Sequence, residues 1–168
     1  MGHLPAWRPM TPEDIPAVLG IADRVHPDLP EDIAVIAERQ RLYPAGAYLL
    51  EREDVTCGYL VSHPWRSVSP PALNVLLHRL PPNPDTFYLH DLALLPAGRG
   101  EGAARAIVEH MVAHARSRGF ATMHLTAVNG SVPFWMYLGF VVETGAHAAD
   151  HLRSYGDSAR SMVRDLAG

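Results

Sequence analysis

Cysteine is almost absent from this sequence of 168 residues, which contains only Cys57. A single cysteine excludes an internal disulfide and a metal site built from several thiolates. The sequence also lacks a basic stripe, and its net charge is −4 with histidine neutral, so a nucleic-acid groove is not expected. It has no run of about 18 apolar residues to span a membrane and no signal-peptide layout, so we expect a cytoplasmic protein.

What is present is an ordinary globular composition, with 48% hydrophobic and 19% charged residues. The length predicts one domain over residues 1–168. Apolar periodicity predicts elements in the order β-α-α-β-β-β-α-β-α-β-β, a mixed α/β sheet flanked by helices. The predicted strands are 7–10, 47–52, 56–62, 87–95, 121–128, 140–143 and 159–165, and the predicted helices are 12–25, 31–40, 103–118 and 131–138.

Two predicted helices show which face they bury. In helix 31–40 the predicted buried positions are Ile33, Ile36 and Ala37. In helix 103–118 the apolar residues that share one face at 100° per residue are Ala104, Ile107, Val108, Met111, Val112 and Ala115. Ala104 is therefore expected to face the sheet, where a small residue permits close packing.

The stretch 64–86 differs from the rest of the sequence, because it holds six prolines around one apolar turn at 72–77. We interpret it as an insertion that carries a short helix, and not as a linker to a second domain. The insertion could cover a binding site or form a homodimer contact.

The most informative segment leads from a predicted strand, through three closely spaced glycines, into helix 103–118. The first amides of a helix have no carbonyl partners and carry the positive end of its dipole. Glycines remove the side chains that would keep an anion away. The turn therefore predicts a pyrophosphate site on the amides of Arg99, Gly100, Gly102, Ala103 and Ala104.

A second interpretation of the same turn is a dinucleotide site. Residues 98–103 (GRGEGA) also fit the fingerprint of a dinucleotide-binding oxidoreductase domain. That fingerprint expects an acid at the end of the next strand, where this sequence has Asn129, and it usually opens its domain. We therefore rank it below the interpretation that follows.

Two motifs resemble those of the GNAT superfamily of acyl-CoA-dependent N-acetyltransferases. Residues 92–104 match its coenzyme A motif, Arg/Gln-x-x-Gly-x-Gly/Ala, and residues 131–140 (SVPFWMYLGF) match its closing helix with an aromatic pair before Leu-Gly-Phe. The resemblance covers nearly the whole chain apart from 64–86. It implies a mostly antiparallel central sheet with a V-shaped gap between two parallel strands, 87–95 and 121–128.

The resemblance also implies acetyl-CoA as the cofactor and an amine as the acceptor, either a small molecule or a peptide. The pantetheine arm would lie in the gap and the pyrophosphate on the glycine turn. The implied cofactor-binding residues are Leu92, Ala93, Leu94, Arg99, Gly100, Glu101, Gly102, Ala103, Ala104, Asn129, Ser131, Phe134 and Trp135.

Transfer of an acyl group to an amine needs a base for the ammonium proton, donors for the oxyanion and an acid for the leaving thiolate. The family implies that the base lies at His90 and Asp91, with Asp91 acting directly, through His90 or through water. It implies that a bulged-strand amide near Leu94 is the oxyanion donor. Each of the two base candidates also has a structural interpretation, at a strand edge or as a partner of an arginine.

The acid position departs from the family. The family frequently has a Tyr four residues before the Gly of Leu-Gly-Phe, and this sequence has Trp135, which carries no acidic hydroxyl. Tyr137 lies about 200° further round the helix and is not expected to reach the sulfur. The remaining candidates are Tyr155, Tyr88 and solvent.

Other chemistry-bearing residues are weaker candidates. His110 and His114 have the i, i+4 spacing of a metal pair, but no third ligand is suggested, so a solvated face is preferred and no metal is predicted. Cys57 lacks a nucleophile signature and is expected to be a buried thiol.

The acceptor is left open. The resemblance places it between residues 26–31 and 144–158, where Asp28, Glu31 and Asp32 hint at a cationic molecule. A coenzyme A-binding sensor without turnover is the non-enzymatic alternative.

Overall fold

The computed structural model describes residue 4 and residues 6–144 and 151–167. Within these ranges a seven-stranded sheet has the order β1-β2-β3-β4-β5-β7-β6. The strands are β1 (Trp7–Pro9), β2 (Ala47–Arg52), β3 (Val55–Trp65), β4 (Thr86–Leu94), β5 (Thr122–Ala127), β6 (Val141–Val142) and β7 (Arg160–Asp165). Neighbouring strands are antiparallel, except that β4 and β5 run parallel. The predicted mixed, mostly antiparallel α/β fold is confirmed.

Helices cover both faces of the sheet and divide the core in two. They are α1 (Ile15–Val25), α2 (Ile33–Leu42), α3 (Ala103–Ser117) and α4 (Val132–Tyr137), with short 3-10 turns at Pro12–Asp14, Pro44–Gly46, Pro96–Gly98 and His151–Tyr155. The first pair packs on the face that carries Leu49, Tyr59 and Val61. The second pair packs on the opposite face, over Leu60 and Leu89. Alternation along each strand supplies both faces with apolar side chains.

The buried face of α2 differs from the prediction. Ile33 is 45% exposed, whereas Glu38, Arg39 and Gln40 are buried beside Ile36. The two opposite charges pair with each other, at 3.0 Å between Arg39 Nη1 and Glu38 Oε1, and both also bond to the backbone of the loop 66–85. Polar residues can therefore occupy the buried face, because their partners come from a distant loop.

Two further details correct the sequence-based account. Ala103 is the buried residue at the start of α3, and its carbonyl accepts the indole N–H of Trp7 at 3.0 Å, whereas Ala104 is only half-buried. No helix forms at 72–77, and β3 continues to Trp65, so the irregular segment is 66–85.

The two histidines of α3 are not a solvated pair. His110 and His114 are half-buried and hydrogen-bonded to the hydroxyls of Tyr48 and Tyr43, at 3.0 and 2.6 Å. Cys57 is buried, and burial raises the pKa of its thiol, which does not favour a nucleophile.

Candidate functional site

A gap opens between β4 and β5 towards their carboxyl ends. The two strands pair at only three positions, the last of which joins Leu89 to Leu125, although β4 continues to Leu94. Beyond that pair the backbone of β4 has no partner strand on this side. An extended ligand could therefore add to the exposed edge of β4.

The register between β3 and β4 decides which backbone groups face the gap. The amide of Leu95 donates to the carbonyl of Cys57 at 2.8 Å, and Gly58, Tyr59 and Leu60 then oppose Leu94, Ala93 and Leu92. Hydrogen-bonded and non-hydrogen-bonded pairs alternate in an antiparallel ladder. The backbone of Ala93 is therefore directed at β3, while the groups of Leu92 and Leu94 face the gap.

A β-bulge lies at His90, where the register shifts so that Ser62 opposes Leu89 and Val61 opposes Asp91. The sequence had placed the bulge near Leu94, which is instead in regular register. The extra residue sends two consecutive side chains, His90 and Asp91, towards the α1–α2 face. Bulges of this kind re-aim side chains next to functional sites.

The glycine turn holds three consecutive residues with positive φ: Gly100 (88°), Glu101 (57°) and Gly102 (69°). Their amides donate to no acceptor within the part of the chain that the structure describes. Two of the predicted phosphate donors are used inside the turn, because Arg99 donates to Pro96 and Ala103 to Gly100. The available amides are therefore those of residues 100–102 and of the predicted donor Ala104, at the N-terminus of α3.

Arg52, at the end of β2, holds this turn with hydrogen bonds. It was not among the residues predicted from the sequence. Its guanidinium donates to the carbonyls of Ala97 (3.1 Å), Arg99 (3.3 Å) and Gly100 (3.2 Å). The Arg99 side chain in turn donates to the carbonyl of Leu94 at 3.2 Å. These bonds direct the turn carbonyls inward and leave its amides outward.

One cavity of about 330 Å³ connects the turn to the bulge. It collects nine of the predicted site residues: His90, Asp91, Leu92, Arg99, Asn129, Ser131, Phe134, Trp135 and Tyr155. Seven others lie outside its lining: Ala93, Leu94, Gly100, Glu101, Gly102, Ala103 and Ala104. The cavity also includes His26 and Glu31, from the connection between α1 and α2, which the sequence had marked only as an acceptor region.

Asp91 is held by two donors at the cavity wall. The hydroxyl of Tyr59 donates to one carboxylate oxygen, and Nε2 of His26 lies 3.0 Å from the other. Burial lowers the pKa of His26, but the hydrogen bond and the charge of Asp91 outweigh it, so that the pKa is raised. His26 is thus a base whose pKa lies above its ordinary value.

His90 does not contact Asp91, contrary to the predicted relay. Its Nε2 lies 3.1 Å from Oε1 of Glu31. Burial alone would raise the pKa of Glu31, but the charge and hydrogen bond of His90 and the amide of Asn74 lower it to about 2. The site therefore contains two separate His–carboxylate pairs. No local pattern could have shown this, since the partners are 65 and 59 residues apart.

Neither Trp135 nor Tyr137 of α4 is placed to supply the acid for which the sequence offered several candidates. Trp135 is buried edge-to-face against Phe134 and Phe140, with ring centroids at 4.9 and 5.6 Å. Tyr137 is 73% exposed and lies under the guanidinium of Arg105, so it points away from the cavity.

The two other tyrosines are weak acids here. Tyr155 lines the cavity, donates its hydroxyl to the carbonyl of Pro71 at 3.3 Å and has a pKa raised by burial. Tyr88 is hydrogen-bonded to Thr126, and burial raises its pKa to about 12. A raised pKa weakens a proton donor.

Across the described ranges, no three His, Cys, Asp or Glu side chains converge as a metal site would require. None of the helices in those ranges is both long enough and apolar enough to span a membrane.

Comparison with known protein families finds one family whose model covers most of the chain. The family model described as acetyltransferase (GNAT) family matches residues 14–140. No curated protein matches the chain.

Solved structures share the fold at low identity. The GphF GNAT-like decarboxylase in complex with isobutyryl-CoA has a TM-score of 0.76 and 17% identity, over 95% of this chain and 98% of that one. Naa20 from Chaetomium thermophilum, in complex with a bisubstrate analogue, has 0.69 and 20%, over 95% and 85%. The ribosomal-protein-S18-alanine N-acetyltransferase from Escherichia coli has 0.65 and 20%, over 96% and 94%.

Proposed function

The chain belongs to the GNAT family of acetyltransferases, and we propose that it moves an acetyl or short acyl group from coenzyme A to an amine. The observation that carries this proposal is the continuity of one cavity from Arg99, at the glycine turn, to Asp91 and His26 beside the bulge. A thioester held along β4 would lie next to a His–carboxylate pair. The antiparallel first half of the sheet also argues against the doubly wound fold that the dinucleotide interpretation needs.

Coenzyme A binding is assigned to the two sides of the gap. The unpaired amides of residues 100–102 would hold the pyrophosphate, supported by the dipole of α3. The gap-facing carbonyl of Leu92 and amide of Leu94 would bond to the pantetheine arm. The opposite wall consists of Asn129, Ser131, Phe134 and Trp135.

The Asp91–His26 pair is proposed as the base, because it lines the cavity and the hydrogen bond and charge of Asp91 raise the pKa of His26, which favours proton uptake. It takes the proton of the ammonium, and the neutral nitrogen then bonds to the thioester carbon to form a tetrahedral oxyanion. The nitrogen loses its second proton to solvent as the carbon–oxygen double bond re-forms and the carbon–sulfur bond breaks. The thiolate leaves with the bonding pair and takes a proton from solvent. His90, nearly buried and paired with Glu31, is proposed to fix the bulge.

The oxyanion donor is proposed to be the amide of Leu92, in place of the predicted Leu94. Leu92 is the first residue with gap-facing backbone groups after the last β4–β5 pair. The hydroxyl of Tyr155 is bonded to a carbonyl and its pKa is raised, which favours a positioning role over an acidic one.

A thermal melt with two ligands tests the cofactor assignment. Acetyl-CoA at about 100 times its Kd should add roughly 2.7 kcal/mol to the free energy of unfolding, and NAD should add nothing. A Tm that NAD raises and acetyl-CoA does not would overturn the proposal. A protein stabilised by acetyl-CoA that acetylates no amine would instead be a coenzyme A sensor.

A further inference from the structure

We propose that the acceptor end of the cavity takes a small amine with an apolar body, and excludes polypeptides, diamines and amino acids. This inference rests on the acyl transfer proposed above and names its acceptor class. The acceptor end is the part of the cavity formed by the α1–α2 connection, the loop 66–85 and the 3-10 turn at His151–Tyr155.

The loop 66–85 is bonded to the α1–α2 connection on one side of the cavity. The amide of Asn74 donates to Oε2 of Glu31 at 3.0 Å, and the amide of Asp32 donates to Oδ1 of Asn74 at 2.7 Å. Glu31 therefore holds the loop with one oxygen and His90 with the other. The loop cannot move away from this wall without losing its bond to Glu31, the same carboxylate that pairs with His90 at the bulge.

The same loop is bonded to the 3-10 turn on the other side. The amide of Leu73 donates to Oγ of Ser154 at 3.0 Å, and the hydroxyl of Tyr155 donates to the carbonyl of Pro71 at 3.3 Å. The loop thus bridges both connections and forms a roof over the acceptor end, with Leu73 in the lining. A polypeptide acceptor would have to continue between the two connections, where the roof lies.

The roof is fixed from behind by the buried ion pair of α2. The carboxylate of Glu38 accepts the amides of Leu77 (2.6 Å) and His78 (2.9 Å), and Arg39 donates to the carbonyl of Val75 at 2.9 Å. These bonds provide hydrogen-bond partners for backbone groups of a loop that has no regular secondary structure. The roof is therefore held in a defined position over the site.

The charges at the acceptor end are already paired. Asp91 receives donors from His26 and Tyr59, and Glu31 receives donors from His90 and Asn74, so each of the four carboxylate oxygens has a partner. Among the residues that the structure describes, the lining holds one arginine, Arg99, and it belongs to the glycine turn. A second ammonium or a carboxylate on the acceptor would find no unpaired counter-charge among those lining residues, and its burial would be costly.

Apart from Tyr155, the other described lining residues of the acceptor end are apolar. Val25 and Leu29 come from the end of α1 and the residues after it, and Leu73 comes from the roof. Three aliphatic side chains from two segments thus border the space beyond the two His–carboxylate pairs. An alkyl or aralkyl group fits this surface.

Matched pairs of amines test the inference with the full-length protein and acetyl-CoA. L-Leucine is 3-methylbutylamine with an added carboxylate, and 1,5-diaminopentane is pentylamine with a second ammonium. A tetrapeptide amide that begins with leucine represents the polypeptide. We expect kcat/KM, calculated per neutral amine, to be roughly tenfold or more higher for each monoamine than for its charged partner or the peptide.

A pair of variants tests the roof residue. Leu73→Ala should lower kcat/KM for 3-methylbutylamine about tenfold and favour the larger 4-phenylbutylamine. Leu76→Ala, on the same loop but 40% exposed and outside the lining, should change neither. Unchanged selectivity in Leu73→Ala would show that the roof does not select the acceptor.

Binding without turnover separates this inference from the function on which it rests. Calorimetry measures the binding of each amine to protein saturated with coenzyme A. Selective binding of the monoamines, with no acetylation of any amine, would support the acceptor class and reject the transferase. Acetylation of leucine, 1,5-diaminopentane or the peptide as fast as the monoamines would support the transferase and reject the acceptor class. Failure of every monoamine to bind would also overturn the inference.

Discussion

At Gly102 the backbone has a φ of 69°, and a side chain added there would project into open space beside the unpaired amides. Gly102→Val should therefore block the approach of a pyrophosphate while the fold is retained. We expect loss of acetyl-CoA binding by calorimetry, together with a stability cost of about 1–2 kcal/mol for the left-handed conformation.

Gly119→Val is the matched control for this change. Gly119 follows the C-terminal end of α3, has a φ of 86° and also has no neighbour within 4 Å, but it lies at the end of the helix opposite to the glycine turn. It should carry a similar strain and bind acetyl-CoA normally. Equal affinity in the two folded variants would show that the turn is not the phosphate site.

Asp91 is the residue on which the proposed chemistry depends. An amine with a pKa near 10 is about 0.1% neutral at pH 7, and a positioned base contributes roughly 10²–10⁴ in rate. Asp91→Asn should lower kcat/KM by that order at pH 7 and recover in part towards pH 9.5, where free amine supplies the nucleophile. The ring pKa of His26, followed by NMR, should fall, because the hydrogen bond and charge that raise it are lost.

The competing assignment is the second His–carboxylate pair. If Asp91→Asn kept wild-type turnover while Glu31→Gln lost it, the base would be His90 and Asp91 would be structural. Tyr155→Phe should change turnover little, since its hydroxyl is committed to the Pro71 carbonyl.

At the scale of elements, the glycine turn depends on the end of β2. Arg52→Met should loosen the three turn carbonyls and raise the Kd for coenzyme A about tenfold, which is roughly 1.4 kcal/mol. Glu101→Gln is the control, because that carboxylate is 83% exposed and lies 3.6 Å from Arg52. A normal Kd in Arg52→Met would mean that the turn holds its shape without the hydrogen bonds of Arg52.

The contact of Glu31, in the α1–α2 connection, with the roof and β4 predicts a dependence of stability on pH. The pKa of Glu31 is lowered to about 2 in the folded protein, so its stabilisation is complete above its unfolded pKa, roughly 4.3, and is lost as the pH falls towards 2. The Tm of Glu31→Gln should therefore be below wild type at pH 6, and the difference should shrink between pH 5 and pH 2. Glu13→Gln, on an exposed side chain, should match wild type throughout. A Tm difference that stays constant with pH would contradict the proposed role of the charge.

At the scale of the whole molecule, the order of helices and strands could be predicted from the sequence. The spacing of apolar residues, and the glycines and prolines that end helices and strands, are local signals. The glycine turn before α3 is one of them. The bulge at His90 could not be predicted, because it arises from pairing with β3. For the insertion, the sequence left open whether it covers a binding site or forms a homodimer contact. The bonds that fix it as a roof could not be predicted, because Glu38 and Arg39 reach it from about 40 residues away.

The candidate site divides in the same way. The proposed coenzyme A side follows a contiguous motif, so a prediction down to single residues such as Arg99 and Gly102 could be made from the sequence. The acceptor side joins distant residues, so the sequence finds Asp91 and His90 but misses His26 and Tyr59 as their neighbours. The hydrogen-bond partners that the fold brings to each titratable side chain determine whether that side chain can act as a base.

The most direct test of the central claim measures both products of one reaction. Wild-type protein is incubated with acetyl-CoA and 3-methylbutylamine, free thiol is followed by a colorimetric reagent, and the N-acetyl amine is quantified by mass spectrometry. We predict thiol release that depends on the amine, with one equivalent of acetyl amine formed for each thiol. Thiol release at the same rate without amine, or no acetylated product from any amine in the panel, would contradict the claim that this protein is an N-acyltransferase.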